Sequence, residues 1–364
     1  MCRRWKYQIF FSVLLTSIFA CQSLAIDVSA VSAILVEQNS GRVLYEKAPD
    51  EESLIASITK IMTAVVALEY GELEKDYTVT AADMAEGSSM YLKPGDSLTL
   101  EELLYGLMLA SGNDAALAVA HCVSGEVTEF VTLMNETARR LGMTHSSFAN
   151  PNGLDQEGHY STARDMAVLT SYALNNELFR RIVSTETVTI GERYLKNHNK
   201  LLTLCEGCIG VKTGYTKAAG RTLVSAVERN GMTLVCVTLK DGDDWNDHQK
   251  LYTDGFQCYH MEMPIQAGQV MASTVVRGGE QTQVKLMTGA DFTYPVKDGE
   301  KLTIQVDAPM TIAAPLSAGD AVGTVRIYLD TVEIGSVPLV LSESVAAENN
   351  GGEFGFLRRF FPEK

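Results

Sequence analysis

Ala56-Ser57-Ile58-Thr59-Lys60-Ile61-Met62-Thr63 is the stretch on which the reading of this chain turns. Ser57 to Glu69 carries apolar residues at Ile58, Ile61, Met62, Val65 and Leu68, the spacing of a helix packed on one side. Positions three apart on a helix share a face, so the Lys60 amine can reach the Ser57 hydroxyl. At a helix N-terminus the serine's own amide N–H is free to stabilise an oxyanion. By itself a Ser-x-x-Lys carries little weight, because a chain this long should hold about one by chance.

Two further segments give it weight. Residues 100–121 read as two helices broken at Ser111-Gly112-Asn113, with Ser111 or Asn113 as a cap for the second. Lys212-Thr213-Gly214 follows Ile209-Gly210-Val211 and lies on or beside a strand, where Gly214 would let a substrate backbone come close. Ser-x-x-Lys, Ser-x-Asn and Lys-Thr-Gly in that order are far more specific together than any one alone.

Around these motifs the elements are mixed. Residues 33–45 form a hairpin about Asn39-Ser40-Gly41, and strands recur at 223–227 and 233–239 about Arg229-Asn230-Gly231. The first and last of these strands can pair in one sheet. Helices are expected over 128–141 and 162–175, with a turn at Asn150-Pro151-Asn152-Gly153. Near Pro264 the character changes to short strands at 282–287, 292–296, 302–306, 323–328 and 333–341, a separate all-β region. A polar linker follows Ser342, and Phe354 to Phe361 is aromatic and basic, suited to peripheral membrane contact through its Phe/Leu face.

The chain has 364 residues, enough for two or three domains at about 150 residues each. Its formal net charge of −15 argues against nucleic acid as a partner, which needs a basic face. Arg3, Arg4 and Lys6 precede an apolar stretch, Ile9 to Ala20, and Ser23-Leu24-Ala25 is a small-x-small cleavage site. Residues 1–25 therefore read as an export signal, which places the protein outside the cytoplasm. That compartment argues against ATP- or NAD-driven chemistry and makes hydrolysis or binding the expected work. Seven cysteines, five of them after residue 25, are too few for a disulfide scaffold, and an odd count leaves at least one without an intrachain partner. Cys205, Cys208 and nearby His198 lack the four ligands of a zinc site, so no metal is expected; a small disulfide or two free thiols fits them better. No cofactor is implied.

The chain resembles the serine-type D-alanyl-D-alanine carboxypeptidases, the low-molecular-mass penicillin-binding proteins. The likeness runs from about residue 28 to 262 and includes Leu109 to Ala116 (LASGNDAA), Phe148 to Leu154 (FANPNGL), Tyr160 to Met166 (YSTARDM) and Gly210 to Thr216 (GVKTGYT). Gly112 stands where the β-lactamase version of the second motif has aspartate. The resemblance implies an α/β (α+β) penicillin-binding/β-lactamase-like catalytic domain over 26–262, its sheet flanked by helices. A smaller all-β domain over 263–345 and a linker and amphipathic tail over 346–364 complete the family's plan.

The resemblance also implies roles. Ser57 is the nucleophile and Lys60, held neutral, its general base. Ser111 relays a proton to the leaving amine, and Asn113 binds the substrate peptide. Lys212 supplies positive potential and ties to Ser111, and Thr213 contacts the terminal carboxylate. Gly214 lets substrate approach, and the N–H groups of Ser57 and Tyr215 make the oxyanion hole. The substrate is the peptidoglycan stem peptide, and β-lactams acylate the same serine. Some relatives hold the carboxylate with an arginine after the next strand. Here that stretch reads Lys240-Asp241-Gly242-Asp243-Asp244-Trp245-Asn246-Asp247, which leaves Arg221 as a further cation. A β-lactamase is the first alternative, opposed by the lack of a Glu-x-x-Leu-Asn segment between Asn113 and Lys212. A non-catalytic wall-binding protein is the second, opposed by the intact polar set.

Overall fold

The computed structural model describes residues 26–348. The signal reading of 1–25 and the tail at 354–361 lie outside the described residues. The Ser32–Glu37 and Val43–Lys47 strands form the expected hairpin. Ser32–Glu37 pairs antiparallel with Met232–Leu239, which continues through Gly220–Arg229 to Cys208–Thr216 at the edge of a five-stranded sheet. The turn between the two long strands places Asn230 and Gly231 at φ 51° and 76°, the left-handed pair that a tight hairpin needs.

Alternation along Met232–Leu239 explains the layers. Val235, Val237 and Leu239 enter the core shared with the helices, whereas Met232, Leu234 and Cys236 face the opposite core under Leu251 and Tyr252. Both faces are covered, and all eight residues of this strand are buried. On the helical side, Lys60–Tyr70 is buried over its first eight residues, Lys60 to Ala67. It is wrapped by the helices Leu100–Leu109, Asn113–Ser124, Val127–Arg140 and Ala163–Ala173. Asp244–Cys258 covers the other face.

Where the sequence suggested one helix from Ser57, the chain makes a 3-10 turn, Ala56–Thr59, before the α-helix starts at Lys60. Ala56 sits at φ 49°, so the chain enters the turn from a left-handed residue. Neither Ser111 nor Asn113 caps the helix that follows them; Gly112 holds the N-cap position with no side-chain bond, and the Asn113 side chain bonds Lys60 and Glu86 O instead.

The all-β region begins directly after Cys258. Tyr259–Ile265 pairs with Phe292–Lys297. A six-stranded sheet runs in the order Leu302–Asp307, Ala321–Leu329, Val332–Leu341, Gln283–Thr288, Val270–Arg277, Thr311–Ala313. Ile265, Leu286, Ile327 and Leu339 fill its core. The polar segment after Ser342, read as linker, stays bonded to this sheet as far as Glu348, whose N–H donates to Gly278 O at 2.8 Å. Arg42 joins the two regions. It donates to Glu300 and to Pro295 O at 2.6 Å, and lies over the rings of Tyr259 and Tyr294.

Candidate active site

Ser57 is half-buried at the floor of a cleft, and Lys60, one turn on, is fully buried. Lys60 Nζ lies 3.0 Å from Ser57 Oγ, 2.8 Å from Asn113 Oδ1 and 2.6 Å from Asn152 O. Burial, and the Lys212 charge after it, hold the Lys60 amine well below its ordinary range, with Asp114 opposing. A neutral amine has two hydrogens and one lone pair. Asn152 O only accepts. Asn113 Nδ2 donates to Glu86 O at 2.6 Å, which fixes Oδ1 as the atom facing Lys60. Both amine hydrogens are thus committed, and the lone pair is left for the Ser57 hydroxyl proton.

The Asn152 carbonyl is delivered by the FANPNGL turn. Thr63 Oγ1 donates to Pro151 O at 2.6 Å, and Gly153 at φ 84° lies so close that a Cβ there would sit 2.1 Å from Ala56 O. His159 Nδ1 accepts from Ala149 N–H at 3.0 Å, so its Nε2–H donates to Thr59 Oγ1 at 2.8 Å. Burial lowers that imidazole to about 4, which keeps it neutral and this tautomer fixed.

Ser111 stands between the two helices at φ 57°, a conformation non-glycine residues seldom adopt. Gly112 beside it has no room for a side chain, since a Cβ would meet Asp114 Oδ1 at 2.6 Å and Met90 N at 3.1 Å. That packing accounts for glycine at the position. Asp114 accepts from Ser89 Oγ, Met90 N and Leu92 N at 2.6–3.1 Å and so pins the loop that carries Ser88. Ser88 O in turn accepts from Asn113 N–H at 2.7 Å.

Lys212, Thr213, Gly214 and Tyr215 lie within the edge strand Cys208–Thr216, which packs against the Ala56–Thr59 turn. A Cβ on Gly214 would fall 2.4 Å from Thr222 Oγ1, 2.9 Å from Ser57 N and 3.1 Å from Ile58 N. Thr222 Oγ1 donates to Ile55 O at 3.0 Å and clamps the neighbouring strand to the same turn. Lys212 is buried, which lowers its amine to about 7. The expected tie from Lys212 to Ser111 is not made: among the described residues Nζ donates to Thr213 O at 2.7 Å. Its influence on the serine–lysine pair is through charge.

Ser57, Ser111, Thr213, Gly214 and Tyr215 line one cleft of about 480 Å³, together with Arg221, Asp244 and Trp245. Arg221 gives two parallel bonds to Asp244, at 3.0 and 2.6 Å, and its guanidinium lies over Trp245. The aspartate run thus aims a cation at the cleft. The others are structural: Asp241 and Asp247 receive the Ser29 hydroxyl at 2.7 and 2.9 Å, and Asp243 accepts from Asn246 at 2.8 Å. Asp165 accepts from His145 N and Ser146 Oγ, also a structural role. Cys205 and Cys208 are free thiols. Sequence reading did not single out Asn152, His159, Ser88, Asp244 or Trp245 for the site. Only the Asn-Pro-Asn-Gly turn gave a signal, and the contributing group there is a backbone carbonyl, which no residue type announces.

A serine and a buried lysine on the first turns of a central helix, beside the edge strand of an antiparallel sheet, define the penicillin-binding class of serine proteins. A family profile described as "D-alanyl-D-alanine carboxypeptidase" matches residues 19–243, and one described as "Penicillin-binding protein 5, C-terminal domain" matches residues 259–347. The D-alanyl-D-alanine carboxypeptidase DacF of Bacillus subtilis is 32% identical over 91% of this chain and 88% of its own length. DacC of Escherichia coli is 34% identical over 90% and 86%. Penicillin binding protein 5 from Haemophilus influenzae, a solved structure, is 27% identical, with a TM-score of 0.77 over 89% of this chain and 99% of that one. The chain belongs to the D-alanyl-D-alanine carboxypeptidase family, with its α/β catalytic domain and C-terminal all-β domain.

Proposed function

We propose that this protein removes the terminal D-alanine from peptidoglycan stem peptides through an acyl-enzyme on Ser57. The observation that carries the reading is the commitment of both Lys60 hydrogens to Asn113 Oδ1 and Asn152 O, which leaves the amine lone pair for the serine. Lys60 takes the Ser57 proton as Oγ attacks the carbonyl of the penultimate D-alanine. The N–H groups of Ser57 and Tyr215 receive the developing oxyanion. The proton passes by way of Ser111 to the departing amine, and water then frees the acid. Asn113 holds the substrate amide, while Lys212, Thr213 and Arg221 favour the free carboxylate. Gly214 keeps the strand close enough for this alignment. A β-lactam, which offers a carbonyl in the same relation to a carboxylate, acylates Ser57 in the same way.

Residues 1–25 export the chain, and the aromatic–basic tail at 354–361 touches the outer face of the cytoplasmic membrane. Labelled penicillin and a diacetylated Lys-D-Ala-D-Ala peptide test the reading together. Stable labelling with D-alanine release, both lost in Ser57→Ala, supports it. Rapid penicillin turnover would make the protein a β-lactamase, and neither labelling nor release would make it a non-catalytic wall binder.

A further inference from the structure

Cys205-Glu206-Gly207-Cys208 joins the short helix Leu201–Leu204 to the edge strand Cys208–Thr216, which carries Lys212, Thr213 and Gly214. Cys208 N–H donates to Cys205 O at 3.1 Å, and Gly207 sits at φ 75°. This is a hydrogen-bonded β-turn with glycine at its third position and a cysteine at each end. Such a turn keeps the Cα atoms of its end residues within about 7 Å, and a disulfide spans about 4.4–6.8 Å. The turn itself therefore sets the two thiols at bridging separation.

The surroundings hold that geometry. Glu228 N–H donates to Gly207 O at 2.9 Å, and a Cβ on Gly207 would fall 2.4 Å from Glu228 O. Arg229 gives two bonds to Glu206 O, at 3.0 and 2.8 Å, and its Nη2 donates to Cys205 Sγ at 3.5 Å. Cys208 Sγ donates to Gly210 O at 3.4 Å, where the edge strand shifts register against Gly220–Arg229. Glu206 and Gly207 are exposed, so a reagent reaches the turn from solvent. Cys236, the other thiol of this core, is sealed beneath the sheet. Burial pushes the Cys208 thiol up to about 12; burial raises Cys205 as well, but Arg229 opposes the rise. Cys205 is thus the sulfur that more readily becomes a thiolate. Neither sulfur has a part in the chemistry at Ser57.

We propose that Cys205 and Cys208 form a thiol-oxidation site, closing a disulfide across this turn that clips the root of the catalytic edge strand. The oxidant is a disulfide RSSR, of a small molecule or of an exported oxidoreductase. The Cys205 thiolate attacks one of its sulfurs, and the S–S bond breaks as one RS⁻ leaves and takes up a proton. Cys208 then gives up its proton and attacks Cys205 Sγ, releasing the second RSH. Two protein thiols are oxidised and one disulfide is reduced to two thiols. The export reading supplies the oxidising compartment; the acyl-enzyme reading plays no part, and its penicillin test stands or fails separately.

The test treats the exported chain, folded and reduced, with excess oxidised glutathione. Acid quenching, denaturation, alkylation and trypsin follow. Cleavage after Lys200 and Lys212 releases both cysteines in one peptide, Leu201 to Lys212. That peptide is expected to lose two hydrogens and escape alkylation, and to take two labels again after reduction. In Cys208→Ser it should keep one glutathione on Cys205, and in Cys205→Ser it should take up several-fold less; the reverse pattern overturns the order of attack. The oxidised wild-type protein should unfold about 2 °C or more above the reduced one, a difference absent in Cys208→Ser. A peptide that stays fully alkylated overturns the proposal, and so does a bridge to the Cys236 peptide. Equal unfolding temperatures of the oxidised and reduced protein overturn the clip.

Discussion

Lys60 Nζ stands 3.0 Å from Ser57 Oγ with its other two contacts fixed on pure acceptors, so the amine can hold those contacts without a proton on its third position. Burial makes that neutral form the stable one. Replacement by methionine keeps the length and the apolar stem but removes the base. Lys60→Met gives up the two buried hydrogen bonds to Asn113 Oδ1 and Asn152 O, about 1–3 kcal/mol each, and the acylation rate of the folded variant by labelled penicillin should fall on the order of 10²–10⁴-fold. Acylation within tenfold of wild type, read by stopped-time labelling, would show that Lys60 is not the base.

The same pair predicts a pH profile. On the acid side, acylation rises as Lys60 loses its proton, at a pH well below the ordinary lysine range. On the alkaline side it falls as Lys212, lowered to about 7, loses the charge that attracts the substrate carboxylate. The Lys212 charge is also one cause of the low Lys60 value. Lys212→Gln should therefore move the acid limb to higher pH and abolish the alkaline fall. An acid limb that stays in place in kcat/KM profiles of the variant would separate the two lysines electrostatically.

Gly214 supplies a steric test. An added Cβ would meet Thr222 Oγ1 at 2.4 Å and Ser57 N at 2.9 Å, and the second contact is with backbone that cannot swing away. Gly214→Ala should cut kcat by about 10²-fold, the scale of a misplacement near 1 Å, and cost only about 1–3 kcal/mol of stability. Adding Thr222→Ala relieves the first contact alone, so stability should recover more than kcat. Recovery of both in chemical denaturation and steady-state assays would place the strain at Thr222 only.

Much of this was legible in the chain, for physical reasons that differ by element. Asn39-Ser40-Gly41 and Asn230-Gly231 announce hairpins because tight turns need those residues, and their strands alternate cleanly. Ser57, Lys60, Ser111, Asn113 and Lys212 to Tyr215 are brought to one place as the three motifs suggested. Tyr259–Ile265 went unread because it follows the Asp244–Cys258 helix with no Gly or Pro between them. The hairpin Thr187–Ile190/Arg193–Lys196 has strands of only four residues, too short for a period. The Asn152 carbonyl and the left-handed Ala56 are backbone facts set by tertiary packing, as is the Arg221–Asp244 fork that joins residues 23 apart.

Arg42 gives a prediction about the second domain. Its guanidinium is bonded to Glu300 and Pro295 O between two tyrosine rings, and it is largely withdrawn from solvent. Arg42→Ala leaves Glu300 with only the Lys297 N–H as donor, at a cost of about 1–3 kcal/mol. Cleavage near the Tyr259–Ile265 strand by a low dose of protease should then speed up by roughly tenfold, with penicillin labelling unchanged. Equal cleavage rates in the two proteins would mean that the β domain is held by its other contacts.

Two buried histidines fix how the fold responds to acid. His248 bridges Ser225 Oγ at 2.6 Å and Thr238 Oγ1 at 3.0 Å, and burial lowers it to about 3. His159 is lowered to about 4. Both values lie below that of an unfolded histidine, about 6.5, so the unfolded chain binds more protons in between. Their contribution is complete above about pH 6.5 and is lost as the pH falls towards 4 and 3. These two histidines should therefore make the unfolding free energy from urea titrations decline from about pH 6.5 to 4.5, contributing a slope approaching two protons. In His248→Gln the protein is less stable at pH 7, because Ser225 and Thr238 lose a fixed partner, but the slope should drop by about one proton. A variant with the wild-type slope would show that His248 is not neutral in the folded protein.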